Sequence, residues 1–562
     1  MSHSKARPTR RVWLPAAFFG LFGLVLCARL VQLQVLEHER YAAEAKAGLA
    51  GNQTIYARRG AILDRNGGVL ATSVSTWDVY VNTRVWKDGT AALESSEALA
   101  THLNVDAVRL REHVRTSTGV EIPLMRDVDF EVGMELMRLR LPGVSFLPNT
   151  DRIYPEGDLA ASILGLTGLE KAGLAGIESR YNDVLQGIPG RVIYERDTTG
   201  DPIPYGQYVA TEPRPGDTVV LTIDRFIQRL AEERLANAIQ EHRAKSGSII
   251  VMNPNTGEIL ALATWPPLQY STLDLNDPAS NALLRNPAVT DMYEPGSVMK
   301  VVTAAAAIDG GAVSPGTEYF DGGIADVYGV EIKNWDDRSY GTQTMTGVLQ
   351  HSINTGAIFM MQALEAKSPG AFQRYLDAFG FDGATGSDLE GEAEGIVRRP
   401  TDPNWSPVDL ATQSFGQAIS VTPIQMISAI AACINGGNLI QPHLLKARIA
   451  PDGTRRDVAP RVVGRAISSE TSATIRQMLH DVVAGEGVYH PGNPRLYSAG
   501  GKSGTANVPV TNGYDDTQIA SFVGTARMPS RNRLWSSTRA TKWQVRARPL
   551  WPTRIARPRR YG

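Results

Sequence analysis

The sequence is poor in cysteine and nearly balanced in charge. Only two of its 562 residues are cysteine, Cys27 and Cys433, and the formal net charge at pH 7 is −1. Because Cys27 lies in an apolar segment, we do not expect an internal disulfide framework. The small net charge argues against a nucleic-acid-binding protein, since such domains carry a strong basic excess. The length allows about three or four structural units, which is ample for a large enzyme core.

The N-terminus predicts a membrane anchor. The basic stretch "SKARPTRR" precedes "VWLPAAFFGLFGLVLCA", which is uncharged up to Arg29, and the apolar pattern continues through "LVQLQVL". This length is at the short end for a membrane-spanning helix. A cleaved signal peptide is the alternative, although no small-x-small cleavage site precedes Arg29. The basic residues predict a cytoplasmic tail at 1–11, an anchor at 12–36 and an exported remainder.

The sequence after the anchor divides into two segments with different patterns, 37–215 and 216–526. In the segment 37–215, the stretch "RRGAILDRNGGVLATS" at 58–73 is a hairpin pattern around an Asn-Gly turn, and from about residue 80 the segment shows no nucleophile motif, metal cluster or phosphate loop. It predicts a β-rich pedestal domain. After "RPGDTVVLTID" come an amphipathic helix pattern, "RFIQRLAEERLANAIQEHRA", and a hairpin pattern, "GSIIVMNPNTGEILALAT". The segment 216–526 therefore predicts an α+β domain with an antiparallel sheet.

The stretch "DMYEPGSVMK" places a serine three residues before a lysine. Pro295 cannot lie inside a helix, so the apolar run that follows predicts a helix beginning near Ser297. Residues three apart share a helix face, and a desolvated Lys300 could act as the base that activates Ser297. The alternative is a capping serine with a solvated lysine. The pattern is short, and Ser2 and Lys5 show the same spacing.

Two further short motifs follow in the chain. The stretch "LQHSINTGAIFMM" contains Ser352 and Asn354. The stretch "GGKSGTANVPV" contains Lys502, Ser503, Gly504 and Thr505. Each motif alone also fits a capping serine or a solvated strand lysine, and "SRN" at 530–532 and "KSG" at 245–247 repeat parts of them. Their order favours chemistry: S-x-x-K at a helix start, S-x-N before an apolar helix, then K-S-G-T opening a strand.

With these motifs in order, the sequence resembles the class B penicillin-binding proteins, and in particular the division-specific FtsI type. The resemblance extends to about residue 526 and includes "RRGAILDRNGGVLA", "RIYPEG", "GLAGIE", "TDMYEPGSVMK", "SFGQAISVTPIQ" and "GKSGTA". No E-D-x-x-F glycosyltransferase signature precedes the catalytic region, which favours class B over the bifunctional class A. Ile353 departs from the family, where this position is more often small or polar. The resemblance implies an α+β fold with a transmembrane helix, a dimerisation-type pedestal and a β-lactamase-like domain.

The resemblance also implies a function and a set of roles. It predicts a serine-type peptidoglycan D,D-transpeptidase that cross-links stem peptides during septal wall synthesis and is acylated by β-lactams. Ser297 would attack the substrate, Lys300 would be the base, Ser352 would relay a proton and Asn354 would bind the substrate amide. The other substrate-binding positions would be Lys502, Ser503, Gly504 and Thr505. No metal or organic cofactor is implied.

The implied partners are D-Ala-D-Ala stem peptides, β-lactams, an FtsW-type glycosyltransferase and other division proteins of the bacterial inner membrane. No nucleic acid is expected. The same motifs also occur in β-lactamases, D,D-carboxypeptidases and β-lactam sensors, and an elongation-type role is a further alternative. A β-lactamase is normally a compact secreted domain, and a sensor would need more transmembrane helices than this sequence predicts.

The C-terminal segment 527–562 does not fit the family pattern. It is rich in arginine, and no acidic residue follows Asp516. Its best strand pattern, "KWQVRAR", alternates apolar and polar residues as a half-exposed edge strand does, whereas a central strand covered on both faces needs apolar side chains on both. We therefore expect 527–562 to be disordered and hypothesise a shifted reading frame. A catalytically impaired division scaffold is then an alternative to the enzyme.

Overall fold

The structure is a computed structural model that contains two compact units. It describes residues 10–41, 50–87, 89–195, 208–381, 383–403, 405–485, 498–510, 513–527 and 538–547. One unit comprises 1–58, 75–151 and 188–214, and the other comprises 59–74, 152–187 and 215–562. The strand Val69–Asn82 passes from the second unit into the first.

The N-terminal segment forms a helix at Arg10–Val31, extended by a π-helical turn at Gln32–Leu36. Within the described residues, one helical stretch, Pro15–Leu36, is long and apolar enough to cross a membrane, with a mean hydropathy of 1.9. None of this stretch is buried. The predicted anchor at 12–36 thus coincides with a helix. Most of the predicted cytoplasmic tail, residues 1–9, lies outside the described residues.

In the first unit, three strands form an antiparallel sheet in the order Ala50–Ile55, Gly190–Glu195 and Tyr208–Thr211. The end of Val69–Asn82 pairs with Glu121–Asp129 and Val144–Ile153. The helices of this unit after the N-terminal segment are Thr83–Trp86, Gly89–Leu103, Ala107–Thr116 and Phe130–Arg138. The apolar faces of these helices pack around a hydrophobic core that is separate from that of the second unit and includes Val79, Val81, Leu99 and Leu136. The predicted β-rich pedestal therefore also contains substantial helix.

The second unit is built around a five-stranded sheet. Its strands in chain order are β1 (Gly247–Met252), β2 (Ile259–Trp265), β3 (Ser498–Val510), β4 (Gly513–Arg527) and β5 (Thr538–Ala547). The order across the sheet is β2-β1-β5-β4-β3, and neighbouring strands are antiparallel. The hairpin predicted at "GSIIVMNPNTGEILALAT" is confirmed as β1 and β2.

Helices cover both faces of this sheet. The helices of this unit include α1 (Arg225–His242), α2 (Met299–Asp309), the short α3 (Met345–His351), α4 (Asn354–Lys367), α5 (Pro423–Ile434) and α6 (Ser469–Ala484). On one face Ile249 packs with Leu235 of α1, while the next residue, Ile250, joins the main core with Val301 of α2 and Ile427 of α5. Side chains alternate between faces along a strand, which explains this division. The predicted antiparallel sheet between helices is confirmed.

Shorter elements complete the second unit. Its other strands are Ile62–Leu63, Leu166–Thr167, Gly173–Ala175, Thr218–Leu221, Glu318–Asp321, Ile324–Val327, Val330–Lys333, Gly341–Thr344, Ile396–Val397, Ile419–Ser420, Asn438–Ile440, Leu445–Ile449, Arg455–Asp457 and Val462–Arg465. Its other helices are Ala161–Leu164, Gly176–Arg180, Asn182–Leu185, Pro278–Ala282, Pro287–Thr290, the 3-10 turn Gly296–Val298, Ala371–Ala378 and Pro407–Gln413.

The division at residue 215 differs from the observed units. Ile62 pairs in parallel with Val219, so part of the predicted pedestal joins a sheet of the second unit. Both Arg59 and Arg152 donate to the fully buried carboxylate of Glu178 at 2.6 Å. A buried charge is stable only when it is paired, so this cluster holds the two early segments in the second unit. Patterns along the sequence did not reveal these long-range pairings.

The prediction of disorder throughout 527–562 is wrong for eleven residues, which are Arg527 at the end of β4 and the ten residues of β5. Thr538–Ala547 form β5 between β1 and β4, in the middle of the sheet. Its Cα register pairs Lys542 with both Ile250 and Val523. The expectation rested on side-chain pattern, whereas backbone N–H and C=O groups pair in a sheet whatever the side chains are. Residues 528–537 and 548–562 lie outside the described residues, and the reading-frame hypothesis stays a prediction.

Candidate active site

Ser297 lies in a tight turn at the start of a buried helix. Gly296–Val298 form a 3-10 turn that leads directly into α2, so the predicted helix start is confirmed to within two residues. Gly296 has a φ of +55°, and a Cβ there would come within 2.6 Å of the carbonyl oxygen of Thr505. Only glycine allows both this conformation and this close approach. The turn thereby brings Ser297 next to the strand that carries the third motif.

Lys300 lies one helical turn after Ser297 and is completely buried. Its Nζ lies 2.6 Å from the carbonyl oxygen of Ser352, 2.7 Å from Asn354 Oδ1 and 3.4 Å from Ser352 Oγ. Among the hydrogen bonds of the described residues, none joins Lys300 Nζ to Ser297 Oγ. The lysine is therefore held by the second motif.

The second motif occupies the junction between two helices. Helix α3 ends at His351, the next residue, Ser352, adopts a left-handed conformation with φ 58° and ψ 43°, and α4 begins at Asn354. Such a conformation is costly for a residue other than glycine, and it is typical of functional sites. Here it accompanies the two contacts of the Ser352 carbonyl and hydroxyl with Lys300. Ile353, the departure noted in the sequence, is fully buried in the main core and does not line the site.

The third motif lies within β3. Lys502 is buried, and its Nζ donates to Ser352 Oγ at 3.0 Å and to the carbonyl oxygen of Ser503 at 3.1 Å. Thr505 is exposed, whereas Gly504 is buried, and a Cβ there would lie 2.6 Å from the Pro295 carbonyl oxygen. The motif lies inside the strand rather than opening it. The structure thus brings all three predicted motifs together.

Burial and the proximity of two lysines perturb their ionisation. Burial, reinforced by the charge of Lys502, holds the pKa of Lys300 well below its ordinary value. Burial alone lowers the pKa of Lys502 to about 7. Two ammonium groups that share one hydroxyl repel each other, and a low-dielectric site disfavours each charge. The site therefore favours a neutral Lys300, which is the form able to accept a proton.

The acceptors around Lys300 determine where its lone pair can act. A neutral amine has two N–H bonds and one lone pair, and the Ser352 carbonyl and Asn354 Oδ1 can only accept. At 2.6 and 2.7 Å, these two oxygens take both N–H bonds. The lone pair is then left to accept a hydroxyl proton. Once protonated, the amine gains a third N–H that can donate to Ser352 Oγ.

Sequence reasoning missed two supports of the site. Glu294, three residues before Ser297, is buried, and its Oε1 accepts from the Ala418 amide at 2.9 Å and from the Tyr514 hydroxyl at 3.3 Å. Burial raises the pKa of Glu294. Its position directly before the Pro-Gly pair was the available signal. The second support is Asn334, whose Oδ1 accepts from the first two backbone N–H groups of α4. No sequence motif surrounds Asn334.

A cofactor site is not evident in the described part of the chain. No group of three or more His, Cys, Asp or Glu side chains there is placed to hold a metal ion.

Two protein-family models match the chain. Residues 247–539 match the penicillin-binding protein transpeptidase domain, and residues 54–221 match the penicillin-binding protein dimerisation domain. The first match covers all three motifs and ends inside β5. The second covers most of the segment predicted as a pedestal.

Similar proteins are known from sequence and structure. Stage V sporulation protein D of Bacillus subtilis is 34% identical over 91% of this chain and 79% of its own length. Peptidoglycan D,D-transpeptidase FtsI of Escherichia coli K12 is 30% identical over 79% of this chain and 73% of its own length. The crystal structure of penicillin-binding protein 2X from Streptococcus thermophilus superposes with a TM-score of 0.75 and 26% identity, covering 89% of this chain and 78% of that one.

Proposed function

Because this chain belongs to the class B penicillin-binding proteins, which combine a dimerisation domain with a transpeptidase domain, we propose that it is a peptidoglycan D,D-transpeptidase. Its substrate is a stem peptide ending in D-Ala-D-Ala, and its nucleophile is Ser297. The observation that supports this most strongly is the position of Lys300, whose Nζ lies 2.6 Å from the Ser352 carbonyl oxygen. Lys502 donates to the hydroxyl of the same serine. Three short motifs, distant in sequence, are adjacent there.

Acylation begins with proton transfer from Ser297 Oγ to the lone pair of neutral Lys300. The oxygen then attacks the carbonyl carbon of the penultimate D-Ala and forms a tetrahedral intermediate. Backbone N–H groups of Ser297 and Thr505 stabilise its oxyanion, a contact worth about 3 to 4 kcal/mol per donor in comparable enzymes. The turn at Gly296 supports this role, since it brings both backbones close together.

Collapse of the intermediate needs a proton on the leaving nitrogen. Ser352 Oγ, within 3.4 Å of Lys300 Nζ, receives the proton from the ammonium and passes its own to the leaving D-Ala. The C–N bond breaks, and an ester on Ser297 remains. The amine of a second stem peptide then attacks this ester, forms the cross-link and returns the proton to Ser297. General acid–base catalysis of this kind contributes about 10² to 10⁴ in rate.

Lys502 and Thr505 bind the terminal carboxylate of the substrate, with Ser503 and Gly504 shaping the strand beside it. An ammonium–carboxylate contact is a strong, charge-assisted hydrogen bond. The carboxylate favours the charged form of Lys502, which in turn disfavours a charge on Lys300. Substrate binding therefore reinforces the neutral state of the base. Within the protein, Asn354 uses one N–H of Nδ2 and one lone pair of Oδ1, which leaves a second N–H and a second lone pair for the substrate amide.

The cellular role we propose is cross-linking of septal peptidoglycan from the outer face of the bacterial inner membrane. The helix at Pro15–Leu36 is the anchor, with a cytoplasmic N-terminus and an exported catalytic domain. One similar protein is named peptidoglycan D,D-transpeptidase FtsI. The resemblance to this type implies an FtsW-type glycosyltransferase and other division proteins as partners. A reporter fused after Tyr41 tests this topology. It should be exported and stay membrane-bound, whereas release in soluble form would indicate a cleaved signal peptide.

A defined peptide tests the proposed reaction. The purified full chain is incubated with a stem pentapeptide ending in D-Ala-D-Ala and with an acceptor peptide that carries a free amine. We expect release of D-Ala and formation of the cross-linked product, and the Ser297→Ala variant should produce neither. Release of D-Ala without a cross-link at saturating acceptor would instead indicate a carboxypeptidase, and no reaction at all would favour an inactive scaffold.

A further inference from the structure

The orientation of the Asn354 side chain is set from outside the three motifs. Its Nδ2 donates to the carbonyl oxygen of Lys333 at 2.9 Å, and its Oδ1 faces Lys300 Nζ at 2.7 Å. A carbonyl can only accept, so the NH₂ group must point to Lys333 and the oxygen to Lys300. The last residue of the strand Val330–Lys333 thereby decides which atom of Asn354 meets the base.

Asn334 fixes the backbone of the same residue. Its Oδ1 accepts from the backbone N–H groups of Asn354 at 3.0 Å and Thr355 at 3.3 Å. These are the first two N–H groups of α4, which have no partner inside the helix. Asn334 is only 3% exposed, although it lies in a connecting segment. It therefore caps the helix from a distance of twenty positions in sequence.

A buried carboxylate holds Asn334 in turn. Asn334 Nδ2 donates to Asp321 Oδ2 and to the Arg338 carbonyl oxygen, both at 2.9 Å. Asp321 also accepts from Thr355 Oγ1 at 2.6 Å and from the Tyr340 amide at 2.8 Å. Burial pushes the pKa of Asp321 up, but these hydrogen bonds outweigh it and hold the pKa below its ordinary value. A charged acceptor therefore anchors the amide of Asn334.

We infer that Asn334 is a positioning residue for the acylation step: it holds Asn354 so that Oδ1 occupies one N–H of Lys300, which leaves the lone pair for the Ser297 proton. This rests on the proposed function, because it assigns a supporting role in the same reaction. Lys502 is the ionisable neighbour that shares Ser352 Oγ with Lys300. The charge of Asp321 is connected to Lys300 through Asn334 and Asn354.

The Asn334→Ala variant tests this inference through the pH profile of acylation. The measurement is the second-order rate constant of labelling by a fluorescent penicillin from pH 5 to 9. An acceptor stabilises the ammonium form of Lys300 more than the amine, so its loss lowers the pKa of Lys300 and moves the acid limb of the profile to lower pH. The plateau should fall about ten- to hundredfold, because the lone pair is no longer oriented.

The matched control is Asn435→Ala. Asn435 makes three side-chain hydrogen bonds in a turn, where Asn334 makes four: its Nδ2 donates to Pro254 O at 2.7 Å and Asn438 O at 2.8 Å, and its Oδ1 accepts from the Asn438 amide at 2.9 Å. It lies outside the site. This variant should lose stability without any movement of the acid limb. An unmoved acid limb in the folded Asn334→Ala variant would overturn the inference.

A second set of variants covers the case in which Asn334→Ala does not fold. Asn334→Asp keeps an oxygen at the start of α4 but places a second carboxylate beside Asp321, so its labelling rate should fall. Combining it with Asp321→Asn restores one carboxylate and one amide, and labelling and the acid limb should return toward wild type. A double variant no better than the single one would contradict the inference. Absence of wild-type labelling would instead contradict the proposed function itself.

Discussion

Lys300 and Lys502 share a single hydroxyl group. Ser352 Oγ lies 3.4 Å from Lys300 Nζ and 3.0 Å from Lys502 Nζ, and both lysines are buried. Two ammonium groups so close would repel each other strongly, so one lysine must be largely neutral. We assign the neutral form to Lys300, whose pKa is held down by burial and by Lys502, and the carboxylate-binding charge to Lys502.

Lys300→Arg should nearly abolish acylation. A guanidinium stays protonated at neutral pH and cannot accept a proton, so the variant keeps a cation but loses the base. The labelling rate with a fluorescent penicillin should fall by about 10² to 10⁴, the usual contribution of general base catalysis. The control is Lys446→Arg in the strand Leu445–Ile449, which should label like wild type. Labelling of Lys300→Arg within a few-fold of wild type would rule out Lys300 as the base.

The pH dependence of acylation should have an alkaline limb set by Lys502. Burial lowers the pKa of Lys502 to about 7, so the ammonium is present below this pH and is lost as the pH rises through it. The second-order rate constant for a carboxylate-bearing β-lactam should therefore decline above about pH 7, since this constant reports the ionisation of the free enzyme. Lys502→Arg should retain part of the activity and remove this limb, because a guanidinium stays charged. An identical alkaline limb in both proteins would contradict the assignment.

The buried ion cluster of the second unit should be essential for stability. The Glu178 carboxylate is fully buried between Arg59 and Arg152. Glu178→Gln leaves two buried guanidinium groups without their counter-ion, and breaking a buried pair of this kind costs about 3 to 5 kcal/mol. Urea unfolding of the second unit should show the loss. Asp457→Asn, in an exposed pair with Arg455 of the same unit, is the control and should have no measurable effect. Equal midpoints for the two variants would refute the prediction.

Strand β5 should be required for the catalytic unit. Removal of residues 528–562 leaves β1 and β4 each with an unpaired edge in the middle of the sheet. Removal of only 548–562 keeps β5 and is the matched control. We expect penicillin labelling to be lost in the longer deletion and kept in the shorter one. Full labelling of both would show that the sheet closes without β5. Resequencing the gene around codon 526 separately tests the reading-frame hypothesis.

Local patterns predicted much of this protein correctly. The hairpin of β1 and β2, the helix α1 and the turn before α2 follow from residue periodicity and from glycine and proline positions. The three motifs were recognised because their spacing places chemical groups at the start of helices and in a strand. Their proximity was not predictable from spacing, because it depends on how α2, α3 and β3 pack in the main core.

The errors and omissions have a common physical cause. The place of β5 depends on backbone pairing with β1 and β4, and the place of residues 59–74 depends on Glu178 and on pairing with the strand Thr218–Leu221. Asn334 acts through single hydrogen bonds across twenty residues and follows no periodic pattern. Long-range pairings of this kind leave little trace in a single sequence.

The most direct test of the central claim is the mass of the full-length protein after brief exposure to benzylpenicillin. Our account predicts one stable adduct of the intact antibiotic, mapped by peptide digestion to Ser297, and no adduct in the Ser297→Ala variant. An adduct that persists in Ser297→Ala, or one on Ser297 that hydrolyses within seconds, would contradict a transpeptidase that works through a Ser297 acyl-enzyme.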